Sequence, residues 1–168
     1  MIKENNSPQI ILYTDGSARG NPGPGGYGTI LEWAGKNYVK EFSEGYRLTT
    51  NNRMELLAVI IGLEKLLTPC MQVLVVSDSK YVVDAVSKGW VFTWEKNRFA
   101  KKKNPDLWIR FLKIYRKHQV VFQWIKGHNL HPQNERCDFL AVEASKKKRL
   151  LIDEFFESQK SDNQLDLK

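Results

Sequence analysis

Residues 73–86 read VLVVSDSKYVVDAV, and this stretch decides the fold class. Val73 to Val76 is a short continuous apolar run, the pattern of a strand buried on both faces. Ser79 to Val86 then predicts a short helix. Alternation of a buried strand with a helix implies a parallel part of a sheet, whose crossovers cover its faces. Working upstream, Ile10 to Tyr13 is a β-branched and aromatic run that ends at the turn-like Asp15-Gly16. Residues 19–26, RGNPGPGG, are dense in Gly and Pro and predict a loop. Tyr27 to Trp33 and Tyr38 to Tyr46 read as two strands, with Gly35 between them as a hairpin. The first three strands then form an antiparallel meander.

Working downstream from Leu57, the helix that precedes this stretch spans 52–67. Met54, Leu57, Ala58 and Ile61 recur at the spacing of one helical face, and Pro69 lies just past its end. Residues 88–103 fit neither a helical nor a strand period. Asn104-Pro105-Asp106 predicts a helix start, with Asn as cap and Pro at the first helical position. Leu107, Trp108, Phe111, Leu112 and Tyr115 give that helix its apolar face. Val120 to Ile125 reads as a fifth strand, and a last helix is expected from about Gln133 to Leu150. The expectation is an α/β fold with a five-stranded mixed sheet flanked by helices, in one domain over residues 1–152. The acidic tail at 153–168 is expected to be partly disordered, from about Ser158 onward.

Length and composition agree with one domain. The chain has 168 residues, 42% hydrophobic and 27% charged, which is ordinary globular usage. No apolar run approaches the roughly 18 residues of a membrane span. The opening MIKENNSPQ lacks the apolar centre of a signal peptide, so a cytoplasmic chain is expected. Cys70 and Cys137 are expected to be reduced thiols. The net charge of +7 suggests a polyanionic partner, nucleic acid first. Its distribution is uneven: Lys88, Lys96, Arg98, Lys101, Lys102 and Lys103 are set against Glu95 alone between positions 88 and 103.

Four carboxylates fall where strand ends and helix starts would meet. Asp15 is expected to end the first strand and Asp78 the buried strand. Glu55 lies early in one helix and Asp138 early in the last. Each has an ordinary use: Asp15 in a turn, Glu55 in a capping box with Asn52, Asp78 as a helix cap, Asp138 as a solvated or paired acid. Together they would repel one another unless a cation neutralised them, and hard oxygen ligands select Mg²⁺ or Mn²⁺ over zinc. A zinc site from His128, His131 and Cys137 would lack a fourth soft ligand. A mobile loop histidine used for proton transfer fits His128 better.

The segments YTDGSARGNPGPGGYG (13–28), TTNNRMELLA (49–58), VSDSKYV (76–82) and WIKGHNLHPQNERCDFLA (124–141) together resemble the type I ribonucleases H. They occur in that family's order and cover most of residues 10–145. The resemblance implies an endonuclease that cuts the RNA strand of an RNA–DNA hybrid. It implies that Asp15, Glu55, Asp78 and Asp138 bind two divalent ions in the presence of substrate, Mg²⁺ or in its place Mn²⁺. The products would be a 3′-hydroxyl and a 5′-phosphate. His128 carries over as the loop histidine that assists proton transfer and product departure. Gly20, Asn21, Asn51 and Glu55 match positions that read the RNA minor groove. Trp90, Trp94, Lys96, Lys101, Lys102 and Lys103 match a basic protrusion that holds the DNA strand, and Thr50 and Asn104 match residues that grip a DNA phosphate. The expected partner is the hybrid alone, with no membrane, and the expected state is a monomer.

The chain departs from the family pattern in places. Leu48 stands where the best-known bacterial members carry an arginine, and Lys80 where they carry a glutamine. The protrusion is somewhat shortened between Trp94 and Asn104. Rival readings are a catalytically inactive hybrid-binding module, a resolvase or transposase core of the same broad fold, and a fragment of a reverse transcriptase. Retention of all four acids argues against the first. The basic aromatic segment and TTNNRME argue against the second.

Overall fold

The computed structural model describes residues 7–165; the expected chain limits within 1–6 and 166–168 lie outside the described residues. Strands β1 (Ile10–Ala18), β2 (Gly23–Trp33), β3 (Tyr38–Thr49), β4 (Gln72–Ser77) and β5 (Gln119–Trp124) form one sheet in the order β3-β2-β1-β4-β5. The pairs β1–β2 and β2–β3 are antiparallel, and β1–β4 and β4–β5 are parallel. The helices are α1 (Asn51–Glu64), α2 (Lys80–Ser87), α3 (Trp90–Lys96), α4 (Pro105–Tyr115), α5 (Pro132–Ser145) and α6 (Glu154–Leu165). This is the mixed α/β architecture that the sequence predicts, with the meander and the parallel strands as expected.

Helices cover both faces of the sheet, and alternation along β2 shows how. Thr29 Oγ1 donates to the Ala58 carbonyl of α1 at 2.7 Å. At the preceding residue, a Cβ on Gly28 would lie 2.2 Å from the Cys137 carbonyl of α5. Successive residues of a strand point to opposite faces, so α1 and α5 lie on opposite sides. The main core fills the α1 side, where Leu12, Leu56, Val75, Trp108 and Phe111 are each 0% exposed. Burying each such aliphatic or aromatic side chain contributes roughly 1.5–3 kcal/mol. Among the described residues no helix is long and apolar enough to cross a membrane.

The structure corrects several expected boundaries. β1 does not end at Asp15: residues 15–18 continue to pair with residues 25–28 of β2, so part of the Gly/Pro stretch expected as loop is strand. The segment 88–103 contains helix α3, then a turn in which Arg98, Phe99, Lys101 and Asn104 all have left-handed φ of 52–62°. Asn104 stands at the N-cap position of α4, but its side chain makes no capping bond. The last predicted helix stops at Ser145, short of Leu150.

The acidic tail carries a helix that its composition does not announce. Residues 154–165 are helical, including the stretch from about Ser158 where partial disorder is expected. Asp153, only 7% exposed, accepts from Arg53 Nε at 2.7 Å and Thr49 Oγ1 at 2.8 Å. Arg47 on β3 makes a two-pronged pair with Glu157 at 2.9 and 3.0 Å. Leu151 bridges to Tyr46 of the same strand. These partners lie about a hundred residues away along the chain, beyond the reach of local composition.

Candidate active site

The parallel pairing of β1 with β4 runs in register to Thr14 and Ser77. The next residues, Asp15 and Asp78, therefore emerge beside each other where β4 ends and β1 continues. Glu55 reaches them from α1. A Cβ on Gly16 would lie 2.3 Å from the Glu55 amide nitrogen, so only glycine lets α1 sit this close to β1. Ligand oxygens of Asp15, Glu55 and Asp78 all lie within 4.8 Å of one another. Asp138, half-buried on α5, stands outside this trio, although its charge acts on Asp15 and Asp78.

The ordinary uses of three of these acids are not found. Asp15 lies within a strand. The cap of α1 is Thr50, which accepts from the Arg53 amide at 3.3 Å, so Glu55 completes no capping box with Asn52. The cap of α2 is Ser79, which accepts from the Val82 amide at 3.3 Å and donates through Oγ to Glu55 Oε2 at 2.6 Å. Asp78 is thus left free of that role.

The electrostatics are those of an uncompensated anionic cluster. Burial, and then the neighbouring Asp78 charge, push Asp15 up to about 8, against the 2.8 Å bond it accepts from the Gly16 amide. Burial raises Glu55 to about 7, opposed by the Ser79 hydroxyl. Asp78 is raised as well, chiefly by burial. Among the described residues no Lys or Arg forms an ion pair with these three acids. An all-oxygen donor set carrying unbalanced negative charge fits a hard divalent cation such as Mg²⁺ or Mn²⁺.

His128 lies exposed on the loop before α5, with a φ of +54°. That loop passes directly over the acids: a Cβ on Gly127 would lie 2.5 Å from Asp78 Oδ2. The histidine's positive form acts to lower Asp78. His131 instead caps α5, accepting from the Asn134 amide at 3.2 Å. Cys137 is buried, and its thiol donates to the Tyr13 carbonyl at 3.2 Å. His131 and Cys137 are therefore occupied within the fold, which leaves the zinc alternative only His128 of its three ligands.

Several of the remaining residues singled out by the resemblance are tied to one another by hydrogen bonds. Asn21 Oδ1 accepts from the Asn51 amide at 3.0 Å, and Asn51 Oδ1 accepts from the Ala18 amide, which ties the Gly20-Asn21 turn to the start of α1. Thr50 and Asn104 meet around Arg53, since the Asn104 carboxamide accepts from Arg53 Nη1 at 3.3 Å and donates to the Tyr81 hydroxyl at 3.0 Å. Lys96, Lys101, Lys102 and Lys103 are exposed. Trp90 is 46% exposed. Trp94 is half-buried and packs edge-on against Trp108 at 5.7 Å, with the Lys102 ammonium 5.2 Å from its ring centre.

Sequence reasoning missed the supports. Arg53, 2% exposed, bonds both Asp106 and Asp153. Trp124 donates to the Asp78 carbonyl at 3.0 Å, and the Lys80 ammonium sits 4.9 Å from its ring. The SDS spacing at 77–79 carried a signal for Ser79 as a cap; nothing local marked Arg53 or Asp153.

A family profile described as RNase H matches residues 7–146. The chain belongs to the ribonuclease H family. It is 52% identical over 153 residues to a ribonuclease H of Desulforamulus reducens, covering 88% of this chain and 94% of that one. It is 50% identical over 161 residues to a ribonuclease H of Rippkaea orientalis, covering 92% and 97%. Among solved structures, LC9-RNase H1, a type 1 RNase H with the type 2 active-site motif, superposes with a TM-score of 0.73 at 30% identity, covering 83% of this chain and 72% of that one. LC11-RNase H1 in complex with RNA/DNA hybrid superposes with a TM-score of 0.60 at 34% identity, covering 80% and 95%.

Proposed function

We propose that this chain is an endonuclease that hydrolyses the RNA strand of RNA–DNA hybrids, leaving a 3′-hydroxyl and a 5′-phosphate. The observation that carries the reading is the convergence of Asp15, Glu55 and Asp78 within 4.8 Å in a chain of the ribonuclease H family. An inactive hybrid-binding module is not favoured, because a binding surface gains nothing from three mutually repelling acids.

Asp15, Glu55 and Asp78 would hold the divalent cations, two with substrate present, and Asp138 would approach from α5. Bound there, Mg²⁺ or Mn²⁺ supplies positive charge to the reacting phosphate and acidifies an attacking water. Ser79 holds the Glu55 carboxylate in one orientation through its 2.6 Å bond. The Gly16 amide does the same for Asp15. His128, exposed on a loop above Asp78, is placed to carry a proton between solvent and the departing oxygen.

Selectivity rests on two surfaces. Gly20, Asn21, Asn51 and Glu55 face the cut strand, where 2′-hydroxyls distinguish RNA. Thr50, Asn104, Trp90, Trp94 and the lysines at 96 and 101–103 take the other strand, chiefly through its backbone, so base preference should be slight. The reading places a monomer in the cytoplasm, which the exposed thiol of Cys70 suits. The deciding assay compares cleavage of labelled hybrid, double-stranded RNA and double-stranded DNA with Mg²⁺ and Mn²⁺ in turn. Cleavage of the RNA strand in hybrid alone is expected; cleavage of none, or of all three equally, overturns the reading.

A further inference from the structure

Helix α6 forms one wall of an open groove with a volume of about 590 Å³. The opposite wall is the end of the basic segment, with Lys102 and Lys103. Thr50, Arg53, Asn104 and the Asn21-Pro22 turn also line the groove. The side chains that α6 presents are Phe155, Phe156, Gln159 and Asn163, spaced to share one helical face.

The sorting of charge on α6 is informative. None of its acids, Glu154, Glu157 and Asp162, lines the groove, although each could have turned toward Lys102 and Lys103 and closed it with an ion pair. Instead, Glu157 pairs with Arg47 on β3. Glu154 borders a separate cavity beside Tyr46 and Arg110. An acidic helix therefore shows an aromatic and carboxamide face to the lysines. Arg53 cannot supply free charge to the groove, since Asp106 and Asp153 both hold it at 2.7 Å. The lysines on the far wall remain without an anionic partner among the described residues. A groove with cations on one side, amide donors on the other and an apolar ring at its edge suits one sugar–phosphate strand. Phosphate would face the lysines, and the sugar would lie against the ring.

We propose that α6 is part of the nucleic-acid-binding surface: Phe156, Gln159 and Asn163 form the outer wall of the track for the uncut DNA strand. This rests on the hybrid-nuclease reading above. Phe156 offers ring surface to the C2′ methylene of deoxyribose, with the Lys160 ammonium 5.5 Å from the ring centre; a 2′-hydroxyl packed on that ring would lose its water without gaining an acceptor. Gln159 and Asn163 carry donors for the adjacent phosphate oxygens. The C-terminal segment is then a binding element as well as a brace.

The test measures affinity of the full chain in EDTA, where the nucleic acid stays intact, by fluorescence anisotropy. The probes are hybrid, single-stranded DNA and single-stranded RNA of one sequence, each at several salt concentrations. Gln159→Glu should weaken hybrid about threefold to tenfold, and Gln159→Lys should tighten it by a similar factor, with both effects fading as salt rises. A folding defect cannot produce opposite signs from one position. Phe156→Ala should weaken single-stranded DNA more than single-stranded RNA. Equal affinities for wild type and both Gln159 variants overturn the proposal, as does a Phe156→Ala loss equal for DNA and RNA. If wild type binds and cleaves hybrid while the variants bind it unchanged, the wall alone is refuted. If wild type neither binds nor cleaves hybrid, the hybrid-nuclease reading falls first.

Discussion

Replacing Asp15 with Asn should stabilise the metal-free protein, and the gain should grow with pH. Asp15 is 9% exposed, and its carboxyl is raised from 3.8 to about 8 by burial and by the Asp78 charge. A carboxyl whose folded pKa exceeds its unfolded pKa takes up a proton on folding. Its relative stability is therefore fully present below pH 4 and is lost as pH rises toward 8. At about 1.4 kcal/mol per unit, that span bounds the penalty near 5–6 kcal/mol. Water reaching the half-buried Asp78 side and proton sharing among the three acids reduce this, so about 2–4 kcal/mol should be recovered at pH 8. Asn keeps an oxygen to accept the Gly16 amide at 2.8 Å, so geometry is preserved. For a chain of this size the gain is a melting-temperature rise of roughly 5–15 °C. The assay is thermal and urea unfolding of both proteins in EDTA from pH 4 to 9, then with Mg²⁺ added. The curves should coincide near pH 4 and diverge above it, and Mg²⁺ should stabilise wild type more than the variant. A variant no more stable than wild type at pH 8, or a difference that ignores pH, would refute the reasoning. Hybrid cleavage by Asp15→Asn should be abolished in the same preparations.

Three further outcomes are expected. Arg53→Ala should cost about 3–5 kcal/mol, because it leaves Asp153 buried without its cation; urea denaturation checks this, and a loss below about 1 kcal/mol would mean that Asp153 finds water or another donor. His128→Ala should lower turnover roughly 10²-fold with little change in the Michaelis constant, and steady-state kinetics on hybrid distinguish this assisting role from the complete loss expected of a cation ligand. Replacing Lys101, Lys102 and Lys103 together with Ala should raise the Michaelis constant and flatten its salt dependence by about 0.7–0.9 in slope for each lost phosphate contact; unchanged constants at several salt concentrations would make these three lysines a solvated face.

The sequence by itself determined the layers of the fold and the identity of the acids. Val73–Val76 announces a doubly buried strand because burial on both faces removes the need for alternation; Val73, Val75 and Val76 are all 5% exposed or less, while Leu74 is half-buried. The Gly35 hairpin and the apolar face of α4 were legible for the same reason: they are written in residues a few positions apart. Boundaries were less legible where a neighbour decided them. β1 runs past Asp15 because β2 stays paired beside it, and Gly26, which looks like a loop residue in RGNPGPGG, lies in β2 and admits α5, since a Cβ there would lie 2.4 Å from the Ala141 carbonyl. Only the tertiary structure decided which acids meet: register of β1 against β4 and the close seat of α1 on Gly16 bring Asp15, Glu55 and Asp78 together, and leave Asp138 to one side. It alone decided the tail as well. Residues 153–165 have the composition of a solvated acidic segment, and Asp153 and Glu157 are anchored by Arg47, Arg53 and Thr49, residues that chain folding places beside them and local sequence cannot.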